Sequence, residues 1–146
     1  MILGLKGKKA LVTGGTHGIG RAIALGLASE GCDVAVFSRT PQRVNDMKSA
    51  LLEYDVNSIS MVADVLDKNS YSRIENAIKE QWGGVDIVVN NIGGGGRWGS
   101  PDLLATKDNV WEEVYDKNLT AAMKYTRMFL PYMLEKFINK SAVCFL

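Results

Sequence analysis

The sequence predicts an α/β fold built on a doubly wound parallel sheet, and three observations predict it. Short β-branched runs recur along the chain, stretches with helical spacing separate them, and a glycine cluster joins the first run to the first helical stretch. The runs are apolar at successive positions rather than at alternate ones, which marks strands buried on both faces. Strand and helix alternate throughout, which argues for parallel strands with right-handed crossovers and helices on both sides of the sheet.

The first strand is "KALVTG", and Ile19, Ala22, Ile23, Gly26 and Leu27 give the helix after it a core-facing stripe. "CDVAVFS" is the second strand, followed by a helix with Val44, Met47 and Leu51 on its inner face. "NSISMVADV" is the third, followed by Tyr71, Ile74 and Ile78 at the same spacing, and "VDIVVNN" is the fourth. A long helix then runs from Lys107 to Lys136, with Trp111, Val114, Tyr115, Asn118, Leu119, Ala122, Thr126, Phe129, Leu130 and Met133 along one face. Pro131 is expected to bend it, because proline lacks an amide donor and crowds the preceding turn. "SAVCFL" opens a fifth strand. The glycine-rich stretch "GGGGRWGSP", residues 93–101, is too short to separate domains, so residues 1–146 read as one domain.

Composition narrows the function. A hydrophobic content of 47% with 23% charged residues is that of an ordinary globular chain. The formal net charge of +1 gives no reason to invoke a nucleic acid. Cys32 and Cys144 lie far apart and His17 is the only histidine, so neither a metal site nor a disulfide framework is supported, and both cysteines read as small buried hydrophobes. No run approaches the roughly 20 apolar residues of a membrane span, and "MILGLKGKK" lacks the order of a signal peptide. The expected location is the cytoplasm. Asp86 and Asp116 read as ordinary helix-end or strand-start charges.

Gly14, Gly18 and Gly20 lie between the first strand and the first helix. Glycines there let the main chain approach a bulky anion, while the helix N-terminus offers unpaired N–H groups and a partial positive charge. The reading is a phosphate site. Its spacing, Gly-x-x-x-Gly-x-Gly, is neither the Gly-x-Gly-x-x-Gly of many dehydrogenases nor the phosphate loop ending in Gly-Lys-Ser/Thr, and taken alone it also fits a tight turn with close helix packing.

Four stretches together carry a resemblance. "TGGTHGIG" resembles the Thr-Gly-x-x-x-Gly-x-Gly signature of short-chain dehydrogenases/reductases. "AD" followed by Val65 looks like that family's adenine-contacting Asp-Val pair. "NNIG", residues 90–93, is similar to its Asn-Asn-Ala-Gly, with Ile92 in place of alanine. "YDKNLTA" carries Asn118 where the family keeps a helix asparagine. The resemblance implies a Rossmann fold that binds a nicotinamide dinucleotide. It places Gly14, Thr16, His17, Gly18, Ile19 and Gly20 along the pyrophosphate and ribose, Asp64 and Val65 beside the adenine, and Asn91, Ile92 and Gly93 along the nicotinamide ribose. For His17 an exposed loop side chain remains the alternative to a phosphate contact.

The second strand ends in "FSRT". A ribose 2′-hydroxyl is usually held by an acid at this place, roughly 20 residues after the glycines, whereas a 2′-phosphate needs a cation. Arg39 offers a planar fork of donors, and Ser38 and Thr40 offer hydroxyls. NADP(H) is therefore favoured over NAD(H), with a solvated surface arginine as the alternative.

By the resemblance, catalysis needs a serine, a tyrosine, a lysine four residues after the tyrosine, and the helix asparagine. Asn118 is the one catalytic-type residue expected here. Tyr132 and Lys136 have the right spacing but fall inside the long helix, before the fifth strand. The chain thus reads as a Rossmann domain cut at about the fifth strand, the end of an engineered piece, a proteolytic fragment or a frameshifted product. The expected function is NADP(H)-dependent hydride transfer to or from a carbonyl or alcohol substrate, similar to 3-oxoacyl-acyl-carrier-protein reductases, with the 146 residues alone inactive. The alternative is a dinucleotide-binding or interaction module that performs no reaction. A homo-oligomer through helix 107–136 is expected, with no nucleic acid or membrane partner.

Overall fold

The computed structural model describes residues 3–94, 102, 104–135 and 142–145, the last four by backbone alone. The elements are strand β1 (Lys9–Thr13), helix α1 (Gly18–Ser29), β2 (Asp33–Ser38), α2 (Pro41–Leu51), β3 (Ser58–Val62), α3 (Lys68–Trp82), β4 (Ile87–Asn90), α4 (Asp108–Tyr115), a π-helical turn (Asp116–Thr120), α5 (Ala121–Glu135) and β5 (Ala142–Phe145). The strands form one parallel sheet in the order β3-β2-β1-β4-β5, the doubly wound arrangement the sequence predicts.

Period-two alternation along the central strands divides the interior into two layers. Leu11, Ala35, Phe37 and Val88 face α3 and α5 and meet Ile74, Ile78, Tyr125 and Phe129. Ala10, Val12, Val34, Val36, Ile87 and Val89 face α1 and α2 and meet Ala24, Ala28, Met47 and Leu51. Both faces of the central strands are buried, whereas β3, at one edge, buries only Ile59.

The inner faces of α2 and α3 are those expected, but two helices differ. In α1 the buried residues are Gly20, Ala24 and Ala28, while Ile19 is 71% exposed. Small residues let the helix lie close to the sheet, and a reading weighted towards bulky side chains misses that face. The long helix is interrupted by the π-turn at Asp116–Thr120, and α5 continues as helix through Pro131. Its buried row is Ala121, Tyr125, Phe129 and Met133. Trp111, Tyr115, Leu119 and Leu130 from the expected stripe are exposed instead.

Asp86 is not an ordinary surface charge. It is buried at the foot of β4 and accepts the Lys9 N–H at 3.0 Å, while Lys9 Nζ donates to the Trp82 carbonyl at 2.9 Å. Cys32 is buried as expected, with its thiol 3.2 Å from the Leu5 carbonyl. Lys136, residues 95–101 of the glycine-rich loop and the Cys144 side chain lie outside what is described.

Candidate functional site: a cleft at the sheet's switch point

The strand order reverses between β1 and β4, and open α/β sheets bind ligands at the carboxyl ends of the strands beside such a reversal. Two loops meet there. Thr13, at the end of β1, holds them together: its hydroxyl donates to the Val89 carbonyl at 3.3 Å and accepts the amides of Asn91 and Ile92 at 3.0 and 3.1 Å. Asn91 returns its side-chain amide to the Thr13 and Gly14 carbonyls at 2.9 and 3.3 Å.

This stitch explains two of the glycines. At Gly14, φ is +64°, and a Cβ would lie 2.9 Å from Ile92 Cγ1. At Gly20 a Cβ would lie 2.6 Å from the Gly14 carbonyl and overlap the Asn91 amide. Gly20 therefore lets α1 pack against the stitched loops. No side chain caps α1, so the free N–H groups of its first turn have no such partner.

A cleft of about 240 Å³ opens above these loops. Of the residues assigned to a dinucleotide from sequence, Gly14, Thr16, His17, Ser38, Arg39, Thr40, Asp64, Val65, Asn91, Ile92 and Gly93 line it. Gly18, Ile19 and Gly20 do not. Thr16 and Val65 are buried, and His17 is exposed at the N-cap of α1. Asp64 accepts the Leu66 N–H at 3.0 Å, and Tyr71 donates its hydroxyl to the Val65 carbonyl at 2.9 Å, which fixes the loop after β3.

Arg43, Ala63, Leu66 and Lys117 also line the cleft, and the sequence reading missed them. Arg43 was within reach of that reading, one helical turn beyond Arg39. Lys117 was not, because it arrives from the π-turn far along the chain. Burial and the field of Arg39 hold its ammonium group below the usual lysine range.

Asn118 is exposed, yet its amide is fully engaged. Its Oδ1 accepts the Gly94 N–H at 2.9 Å, and its Nδ2 donates to the Gly94 and Val114 carbonyls at 3.0 and 2.8 Å. It fastens the loop after β4 to the π-turn. Beyond Ile92, a second cavity of about 350 Å³ is lined by Asn90, Asn118, Leu119, Ala122, Met123, Thr126 and Arg127 as well as Ile92 itself. Tyr132 lies elsewhere, against Gly83 and Gly84 before β4, at the opposite end of the sheet from the cleft.

The donor set fits a dinucleotide. The Ser38 hydroxyl is shut off from solvent and makes no hydrogen bond, an uncapped helix N-terminus stands behind Gly18, and Arg39, Arg43 and Lys117 surround a single lining carboxylate, Asp64.

The family profile described as short chain dehydrogenase matches residues 8–140. The chain belongs to the short-chain dehydrogenase family. It is 34% identical over 133 residues to a short chain dehydrogenase of Pseudocercospora fijiensis, covering 90% of this chain and 42% of that protein. With the 3-oxoacyl-acyl-carrier-protein reductase FabG of Staphylococcus aureus it shares 33% identity over 141 residues, covering 93% of this chain and 56% of the other. The crystal structure of L-sorbose reductase from Gluconobacter frateurii, complexed with NADPH and L-sorbose, superposes with a TM-score of 0.90 at 27% identity, covering 99% of this chain and 54% of that one. An NADH-dependent reductase, A1-R′, complexed with NAD, superposes with a TM-score of 0.87 at 30% identity, covering 99% and 61%. This short-chain dehydrogenase chain spans about half the length of these relatives.

Proposed function

We propose that this chain is the NADP(H)-binding part of an oxidoreductase that moves hydride between nicotinamide and a carbonyl or alcohol carbon of a small molecule. One observation carries the cofactor preference: the end of β2 lines the cleft with Ser38 and Arg39 where an NAD(H)-binding chain would present an acid. Relatives complexed with NADPH and with NAD both exist, so the choice rests on these residues.

In this reading Gly14, Thr16, His17, Gly18, Ile19 and Gly20 receive the pyrophosphate and its ribose, Asp64 and Val65 flank the adenine, and Thr40 joins Ser38 and Arg39 at the 2′-phosphate. Asn91, Ile92 and Gly93 lie along the nicotinamide ribose. The cofactor supplies or accepts the hydride. The second cavity, across Ile92, receives the substrate. Asn118 acts by holding Gly94, which fixes that end of the cleft. A substrate such as a 3-oxoacyl thioester or a sugar is consistent with the relatives, as is a cytoplasmic location.

A second reading is a binding or interaction module without turnover, and the placement of Tyr132 favours it for these 146 residues alone. The chain's only Tyr-x-x-x-Lys begins at Tyr132, which packs against Gly83 and Gly84, away from the cleft. The isolated chain is therefore expected to bind NADPH without oxidising it when offered ketones, oxoacyl thioesters or sugars. Oxidation above the enzyme-free rate would locate the proton-exchanging groups within these residues.

Replacing Arg39 tests the preference directly. Arg39→Asp should weaken NADPH binding by well over tenfold and leave or improve NADH binding, since hydrogen bonds to charged groups contribute about 1.5–3 kcal/mol. Titration calorimetry showing equal losses for both cofactors, or none, removes Arg39 from the reading.

A further inference from the structure

The loop after β3 forms the wall of the cleft that Asp64 and Val65 line, and it has little main-chain bonding of its own. The Ala63 N–H reaches the Ser38 carbonyl at 3.0 Å, and the Asp67 N–H closes a turn onto the Asp64 carbonyl at 3.1 Å. Side chains hold what lies between. Asp64 Oδ1 accepts the Leu66 N–H at 3.0 Å, and Ser70 Oγ accepts the Asp64 N–H at 3.3 Å. Among the described residues, Val65 has one hydrogen bond: its carbonyl accepts the Tyr71 hydroxyl at 2.9 Å.

Tyr71 does not line the cleft. It stands in the first turn of α3, and its ring is wedged against α5, 5.0 Å from the buried Tyr125 ring between centroids and with Lys124 Nζ 4.6 Å from its own centroid. A cation over an aromatic face is attracted to it, and a ring held by packing on one side and a cation on the other leaves its hydroxyl little freedom of position. Burial raises the pKa of this phenol, so it remains a donor. The inner row that Tyr71 shares with Ile74 and Ile78 would be served equally well by an aliphatic side chain. The hydroxyl is the part that core packing does not require, and it goes to the one peptide of the cleft wall that has no other hydrogen bond.

We infer that Tyr71 is a positioning residue for the adenosine half of the cofactor: from outside the cleft its hydroxyl holds the Val65 peptide, and so sets the wall against which the adenine lies. This rests on the reading above that Asp64 and Val65 flank the adenine. A loop without this bond samples other positions, and the ligand must then order it on binding, which lowers affinity for the half of the cofactor that touches it.

The test uses 5′-AMP and reduced nicotinamide mononucleotide, the two halves of the cofactor, each titrated calorimetrically into the 146-residue chain. Tyr71→Phe keeps the ring and removes the hydroxyl. It should weaken 5′-AMP about threefold to tenfold, the scale of one lost neutral hydrogen bond, and change the nicotinamide half by less than about twofold. Amide exchange should quicken at Leu66 and Asp67 and stay unchanged at Gly94. Tyr71→Leu, which keeps the apolar row, should show the same split, and circular dichroism should show both variants folded. Equal weakening of both halves, or faster exchange at Gly94 as well, means general damage to the fold and overturns the inference. Faster exchange at Leu66 with 5′-AMP binding unchanged confines the bond to loop stability and overturns it too. Asp64→Ala separates the two levels. If it weakens 5′-AMP and Tyr71→Phe does not, this inference fails alone; if Asp64→Ala leaves 5′-AMP unchanged, the placement of the adenine fails, and this inference with it.

Discussion

Tyr125 shows how a single residue can be well packed and still costly. Its ring is fully buried, 5.3 Å from Phe37 and 5.0 Å from Tyr71 between centroids, yet its hydroxyl has no hydrogen-bond partner. A buried donor without a partner loses its water and gains nothing, so Tyr125→Phe should stabilise the chain by about 1 kcal/mol in urea denaturation. A loss of stability would mean that the hydroxyl has a partner. Cys32 gives a pH dependence. Burial first, then the neighbouring Asp33, raises its thiol pKa to about 11, from 9.0 when unperturbed. The unfolded chain releases this proton first as pH rises, so stability should fall between pH 9 and pH 11, by at most about 1.4 kcal/mol per unit for one group. Tyr71 and Tyr125 are shifted upward by burial and extend the loss above pH 10. Denaturation midpoints at pH 8.5 and 10.5 measure it, and Cys32→Ala should reduce the drop.

At the scale of elements, the contact between the π-turn and the loop after β4 determines how the cleft is held. Asn118 makes all three of its side-chain bonds to Gly94 and Val114, so Asn118→Ala should free the loop while leaving the sheet intact. NADPH binding is expected to weaken about threefold to tenfold, the scale of one or two lost neutral hydrogen bonds, with faster amide exchange at Gly94. Unchanged exchange would show that Asn118 does not hold the loop. The strands and helices themselves were legible in the sequence, because a two-sided strand and a one-sided helix differ in apolar period. Which face of α1 lies on the sheet was not legible. Gly20, Ala24 and Ala28 approach the strands because they are small, a property that apolar periodicity ignores. Nor was the π-turn, since nothing in "YDKNLTA" changes the spacing of its apolar residues.

At the scale of the whole molecule, two apolar rows run along the outer helices, and only one meets the sheet. Ala121, Tyr125, Phe129 and Met133 are buried, whereas Trp111, Tyr115, Leu119, Met123, Leu130 and Leu134 remain between 37% and 62% exposed. A contiguous exposed row of this kind is the mark of a surface that another chain covers, and we propose a second copy, related by a two-fold axis. Sedimentation should show a dimer at micromolar concentration. Tyr115→Lys should shift it to monomer while NADPH binding is kept, and a wild type that sediments as monomer argues against the interface. No helix among the described residues is long and apolar enough to cross a membrane.

The sequence by itself determined the parallel sheet, the glycine turn after β1 and the residues that the ends of β1 to β4 contribute to the cleft. Each of these is local: a strand, the turn that ends it, and the few side chains carried by that turn. The tertiary structure decided what depends on distance along the chain. It joined Thr13 to Asn91, brought Lys117 to the lining of the cleft, fixed Asn118 onto Gly94, and left one apolar row facing outward. Apolar transfer is non-directional, so the pattern of a buried row and that of an exposed one read alike until the packing separates them.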